Sequence, residues 1–188
     1  MEAFLLSFGI IFVAELGDKS QLMAMTFAAR YRASTILLAI TAATAVVHLV
    51  SVLFGAVLGV VLPTNAISIL GGIAFVGFAV WTLRGDELGE GDEARAARTS
   101  RSVFFSVAGA FFFAELGDKT MLATITLATD HGLFGVWIGS TLGMVAADAL
   151  AVLVGQILGT RVPERAIRIG AAVIFLAFGV LLVAEGLR

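Results

Sequence analysis

Ala14-Glu15-Leu16-Gly17-Asp18-Lys19 recurs as Ala114-Glu115-Leu116-Gly117-Asp118-Lys119, and the offset between the two copies holds far beyond these six positions. Leu22 falls on Leu122, Thr26 on Thr126, Gly55 on Gly155, and Leu58-Gly59 on Leu158-Gly159. The only two prolines, Pro63 and Pro163, coincide. Ala66-Ile67 falls on Ala166-Ile167, and Phe75 and Phe78 fall on Phe175 and Phe178. An ungapped match of this length is an internal duplication. It divides a single transmembrane domain, 1–188, into repeat one (1–85), a linker (86–100) and repeat two (101–188).

The chain around the motifs is 60% hydrophobic and 14% charged, with a mean hydropathy of +1.04. Soluble domains carry about 25% charged residues, so this chain cannot cover itself in water. A net charge of −2 leaves no basic surface for nucleic acid. The absence of cysteine removes disulfides, thiolate metal sites and cysteine nucleophiles together. About 20 apolar residues cross a bilayer as a helix. Six stretches qualify, at 4–29, 34–62, 66–83, 102–129, 133–160 and 166–185. Met1-Glu2-Ala3-Phe4 lacks a basic lead, so the first stretch reads as a membrane helix, not a cleaved signal. Four stretches, the first, second, fourth and fifth, exceed the span length and predict tilt or an internal break. The segment from Arg84 to Arg101, with Asp86, Glu87, Glu90, Asp92 and Glu93, reads as an aqueous linker.

Each repeat holds three spans, an odd number, so repeat two must enter the membrane from the opposite side. The predicted fold is therefore all-α and integral to the membrane: six transmembrane helices in two inverted-topology three-helix repeats, the architecture of secondary transporters with a midplane site. Orientation follows the positive charges. The first, third and fifth connections carry Arg30, Arg32, Arg84, Arg95, Arg98, Arg101, Arg161, Arg165 and Arg168, whereas the other side carries only Arg188. This places the linker in the cytoplasm and both termini outside, in a multi-pass protein of the cell's inner (plasma) membrane.

Charges inside spans are expensive and point to function. Glu15, Asp18, Glu115, Asp118 and Asp148 fall within spans, together with Lys19 and Lys119. Residues three apart share a helix face, so Glu15 and Asp18 can point together, as can Glu115 and Asp118. Two such pairs facing across a pseudo-two-fold axis would form a cage of four carboxylates. Oxygen ligation suits hard divalent cations: Ca²⁺, Mg²⁺ or Mn²⁺. Ser20, Gln21 and Thr120 can add neutral oxygens. Gly17 and Gly117 weaken the helix and let carbonyls turn inward. A plainer reading has Glu15–Lys19 and Glu115–Lys119 as i, i+4 ion pairs that only hold the bundle together. Five acids against two lysines nevertheless leave an excess that cations or protons must balance. Asp148 and His48, at matching repeat positions, are the candidates for carrying protons. A rival use of the same architecture is the proton-coupled export of a small organic solute such as an amino acid. An enzyme is not expected.

Glu15-Leu16-Gly17-Asp18-Lys19-Ser20 and Glu115-Leu116-Gly117-Asp118-Lys119-Thr120 resemble the paired E-x-G-D-K/R-S/T motifs of the Gdt-type cation exchangers, which include bacterial manganese exporters and Golgi manganese/calcium transporters. The resemblance covers the whole chain, and the compact length is similar to that of bacterial members. It implies export of Mn²⁺, or of Mn²⁺ and Ca²⁺, from the cytosol in exchange for protons. It also implies cation binding by the motif acids, here Glu15, Asp18, Glu115 and Asp118. The implied partners are a divalent cation, protons and the lipid bilayer, with no nucleic acid and no resident cofactor; the number of subunits is left open. The cysteine-free chain makes the topology directly testable. Single cysteines in the 86–100 linker should be shielded from impermeant thiol reagents in intact cells, and those at either terminus should react. The opposite labelling pattern would reverse the orientation.

Overall fold

The computed structural model describes residues 1–28, 31–84, 103–158 and 164–187. The expected linker, 86–100, lies outside the described residues. These residues form eight α-helices: α1 (Glu2–Glu15), α2 (Lys19–Ala28), α3 (Ala33–Val61), α4 (Thr64–Arg84), α5 (Val103–Glu115), α6 (Lys119–Asp130), α7 (Leu133–Leu158) and α8 (Glu164–Gly186). Helix is what such a sequence must form in lipid, where every backbone polar group has to be satisfied within its own segment. The fold class is all-α. Helices α3, α4 and α7 are each long and apolar enough to cross a membrane, and α5 and the Ala172–Gly186 part of α8 are shorter apolar helices.

The first and fourth apolar stretches are broken in two, and both breaks fall at the duplicated motif. The second and fifth stretches are not broken: α3 runs 29 residues and α7 runs 26 without interruption. The difference is local chemistry. Gly17 and Gly117 take positive φ, at 77° and 80°, which only glycine adopts cheaply. Helices α3 and α7 contain no glycine in that conformation.

The repeats interlock. Helix α4 packs most extensively on α8, α1 on α7, and α3 on α5, α6 and α7, so the large interfaces all join one repeat to the other. Their contacts are reciprocal. The rings of Phe75 and Phe178 have centroids 4.9 Å apart, and the exchanged pair, Phe78 and Phe175, lies at 6.1 Å. Phe75 also meets its own counterpart Phe175 at 5.9 Å. The Thr44 hydroxyl donates to the sulfur of its counterpart Met144 at 3.3 Å. Residues that touch their own repeat equivalents must lie near an approximate two-fold axis, as in an isologous dimer interface.

Small residues let the helices approach. Gly135, Gly139 and Gly143, one turn apart on α7, lie against the α1 backbone at Ala3, Phe4 and Phe8. Gly55 and Gly59 on α3 lie against α6 at Ile125, Ala128 and Thr129. This is the small-xxx-small packing of membrane helices. Burial departs from that of a soluble protein at both extremes. Glu15, Glu115, Asp148 and His48 are wholly buried, while Val60, Phe134, Phe105 and Leu181 are 88%, 73%, 70% and 66% exposed. Buried charge within an apolar exterior is the signature of a protein surrounded by lipid.

The glycine stripe predicts opposite signs for one substitution. A Cβ at Gly139 would run into the Phe4 carbonyl, whereas one at Gly109 meets nothing within 4 Å. Gly139→Ala should destabilise the detergent-solubilised protein by about 1–3 kcal/mol. Gly109→Ala should stabilise it by about 0.5–1 kcal/mol through helix propensity. Thermal unfolding of the two variants side by side checks both.

Candidate functional site

The site begins at the two helix breaks. Helix α1 ends at Glu15, Leu16 is extended, and the Asp18 N–H returns to the Glu15 carbonyl at 3.2 Å. Repeat two copies the turn, with the Asp118 N–H on the Glu115 carbonyl at 3.2 Å. Each Glu therefore closes one half-helix, and each Asp stands ahead of the next. This corrects the helix-face account of the motif: the acids of each pair are brought together by a glycine turn, not by one continuous helix. The carbonyls of Glu15 and Glu115 are used within these turns.

The glycine N–H at each break is held by the side chain four residues on. Gly17 donates to Gln21 Oε1 at 2.8 Å, and Gly117 donates to Met121 Sδ at 3.2 Å. Gln21 also donates through Nε2 to the Ala147 carbonyl on α7, at 3.0 Å. Its amide thus ties the first break to the helix that carries Asp148. Its oxygen is engaged by the turn, which is not the free ligand oxygen that the sequence suggests.

The lysines pair across the repeats, where the i, i+4 reading expects pairs within each motif. Lys119 is ion-paired with Asp18, and Lys19 lies 3.6 Å from Asp118, so each motif lysine faces the other repeat's aspartate. The two crossed pairs are unequal. The Lys119 and Asp18 side chains are 3% and 2% exposed, whereas Lys19 is 22% exposed against a fully buried Asp118. The Lys19–Asp118 separation is an ion pair without a hydrogen bond.

The remaining acids surround these pairs. Glu15 lies within electrostatic range of Glu115, Asp18, Asp148 and Lys119, and Glu115 lies within range of Asp118, Asp18 and Asp148. Thr120 donates to Glu115 Oε2 at 2.8 Å, and Ser20 reaches Asp18 Oδ2 at 3.5 Å. Both oxygens of Glu15 and of Asp148, and Oε1 of Glu115, are buried with no hydrogen-bond partner. Buried acceptors left this way are costly unless something else fills the gap. His48 is wholly buried, and neither of its ring nitrogens has a hydrogen-bond partner. Among the described residues, no three His, Asp or Glu side chains are gathered to metal-holding distance. The structure thus brings the acids of both repeats into one electrostatic cluster without closing them on a single point.

The crossing of the lysines and the two glycine acceptors were missed in the sequence. The acceptors had a signal: Gln21 and Met121 stand at the same offset behind a glycine that must break a helix.

The divalent cation/proton antiporter GDT1 family matches residues 3–90 and 103–188, one segment in each repeat. A Vibrio cholerae protein named as a candidate manganese exporter is 34% identical over 94% of this chain and 88% of its own. A GDT1-like chloroplast protein of rice is 31% identical over 94% of the chain, which spans 59% of that longer relative. A GDT1-like protein of Synechocystis is 28% identical over 96% of each. No solved structure matches the chain significantly.

The double use of the Gln21 amide predicts a graded response. Gln21→Met keeps an acceptor for the Gly17 N–H, as Met121 does for Gly117, and loses only the bond to Ala147; it should cost about 1 kcal/mol. Gln21→Ala also orphans the Gly17 N–H and should cost about 2 kcal/mol or more. Equal melting temperatures for the two variants would remove Gln21 from the break.

Proposed function

This chain belongs to the GDT1 family of divalent cation/proton antiporters, and from that premise we propose that it exports Mn²⁺ from the cytosol in exchange for protons, with Ca²⁺ as a second cargo. It is a transporter and not an enzyme. One observation carries the reading of the site: five carboxylates, those of Glu15, Asp18, Glu115, Asp118 and Asp148, are buried in an apolar bundle with only two ammonium groups among them. Such an excess is tolerable only when cations or protons occupy the cluster. A divalent cation suits these ligands because every donor is a hard oxygen. An organic cargo has no counterpart in the family's described activity.

In this reading Glu15, Asp18, Glu115 and Asp118 close on the ion, with the hydroxyls of Ser20 and Thr120 beside them. Asp148 carries the coupling proton, with His48 as a second carrier. Gln21 holds the break in place. Ion binding then requires the acids to draw together from the spread arrangement. The breaks suit this work, because a glycine turn between half-helices can rotate where an unbroken helix cannot.

The six apolar stretches are read as spans, the two repeats as inverted in the membrane, and both termini as external. Reciprocal contacts such as Phe75–Phe178 and Phe78–Phe175 support a two-fold relation between the repeats. With an odd number of spans in each, that axis runs in the membrane plane. Exchange follows when the metal-loaded and proton-loaded forms reorient and the uncompensated empty form does not, since it would carry bare charge through a closed gate.

Everted vesicles with an acidic lumen test the proposal. They should accumulate Mn²⁺, and collapse of the pH gradient should abolish the accumulation. Asp18→Asn and Asp118→Asn should each reduce uptake to background while the protein still inserts. Accumulation that survives collapse of the gradient would rule out proton exchange. Full activity in either variant would rule out the site.

A further inference from the structure

We infer that the Lys119 ammonium is a tethered rival of the transported cation, seated on Asp18 when cargo is absent and displaced from it when cargo binds. The inference rests on the cation-transport reading above and assigns a competing occupant to that site. Three observations carry it. Lys119 is ion-paired across the repeats with Asp18, and both side chains are all but sealed, at 3% and 2% exposed. Lys119 also lies within electrostatic range of Asp118 and Glu15, so its charge sits among three of the four motif acids. Meanwhile Glu15 keeps both oxygens, and Glu115 one, buried and without a hydrogen-bond partner, and no three acids of the described residues are close enough to hold a metal. The acids are present, then, and the one of them that lies between the repeats at Asp18 is taken by an ammonium group.

Charge makes the two occupants mutually exclusive. A divalent ion on Asp18 and an ammonium on the same carboxylate would repel at contact distance in a low-dielectric interior. Cargo must therefore displace Lys119, and departing cargo is replaced by it. A lysine suits this work. Its charge is compact, it sits on a flexible stem of four carbons, and it can swing to another acid without leaving the cluster. The exchange serves transport because a site of four bare carboxylates would release a divalent ion only slowly. A returning ammonium lowers the affinity and promotes release. Lys19 does not hold the same position in this structure. It is 22% exposed and 3.6 Å from Asp118, so the competitor here is Lys119 alone.

Mn²⁺ transport in proteoliposomes at fixed pH separates this role from a structural one. Lys119→Met removes the rival charge while keeping an unbranched side chain. Its KM should fall about tenfold, a factor within the range of a single ion-pair coupling, and its kcat should fall as release slows. Lys119→Arg should raise KM, because a forked guanidinium grips a carboxylate by two bonds. Lys19→Met should shift KM less than Lys119→Met does. Structural damage lowers kcat or raises KM but does not create affinity, so the fall in KM is the decisive sign. An unchanged or raised KM in Lys119→Met overturns the inference. If that variant does not insert, Lys119→Arg decides: a KM at or below that of the parent protein overturns it. Cation flux in the parent protein with unmoved KM in the variants defeats this inference alone. No divalent-cation flux in the parent protein defeats the transport reading and this inference with it.

Discussion

The structure is organised by a shortage of positive charge. Glu15, Asp18, Glu115, Asp118 and Asp148 are buried together, and among the described residues Lys19 and Lys119 are the cations paired against them. Removing carboxylates from water costs several kcal/mol each even after relaxation, so the bundle must be built to keep their charge balanced. The crossed lysines are the first part of that answer. Because each one reaches into the other repeat, the ion pairs join the two halves at their centre, where the helix breaks would otherwise be weakest. The Phe75, Phe78, Phe175 and Phe178 cluster and the glycine stripes lock the same halves together away from the charges. Charge pairing and apolar packing therefore both join one repeat to the other.

Much of this was legible in the sequence, and for physical reasons. A duplication shows itself at any distance because the repeats must present the same residues to the same axis: Phe75 and Phe175 match in the alignment because they meet in space. Apolar length located the helices to within a few residues because lipid permits little else. The two broken apolar stretches were legible only as a choice between tilt and a break. Glycine at the motif supplied the reason for the break, and the positive φ of Gly17 and Gly117 decided it. The partners of the lysines were not legible. Spacing along one chain reports which residues can share a helix face, and Lys19 offers Glu15 by that rule. The pairing observed, with Asp118, depends on how two repeats cross, which no local periodicity encodes.

The places where the repeats differ carry as much meaning as those where they agree. Symmetry is kept at Glu, Gly, Asp and Lys, the residues that make the turn and the crossed pairs. It is lost beside them. Gln21 stands opposite Met121, and only the amide can also bond across to the other repeat at Ala147. Thr120 holds Glu115, while its counterpart Ser20 reaches Asp18 instead. Asp148 joins the acid cluster, while its counterpart is a histidine, His48, that brings no carboxylate to it. The first difference makes one break more firmly tied to its surroundings than the other. The last gives the cluster an odd number of acids.

An odd acid is a chemical necessity for some kinds of exchange and irrelevant to others. Four motif carboxylates and two lysines leave a net charge of minus two, which one divalent cation neutralises. Asp148 adds a fifth negative charge that the cation cannot also satisfy, and its two oxygens find no hydrogen-bond donor in the bundle. A perfectly symmetric site would be complete with its metal alone. This one is not balanced by a single divalent cation, so under the proposed exchange the departure from symmetry at position 148 marks the acid assigned to the proton-loaded form.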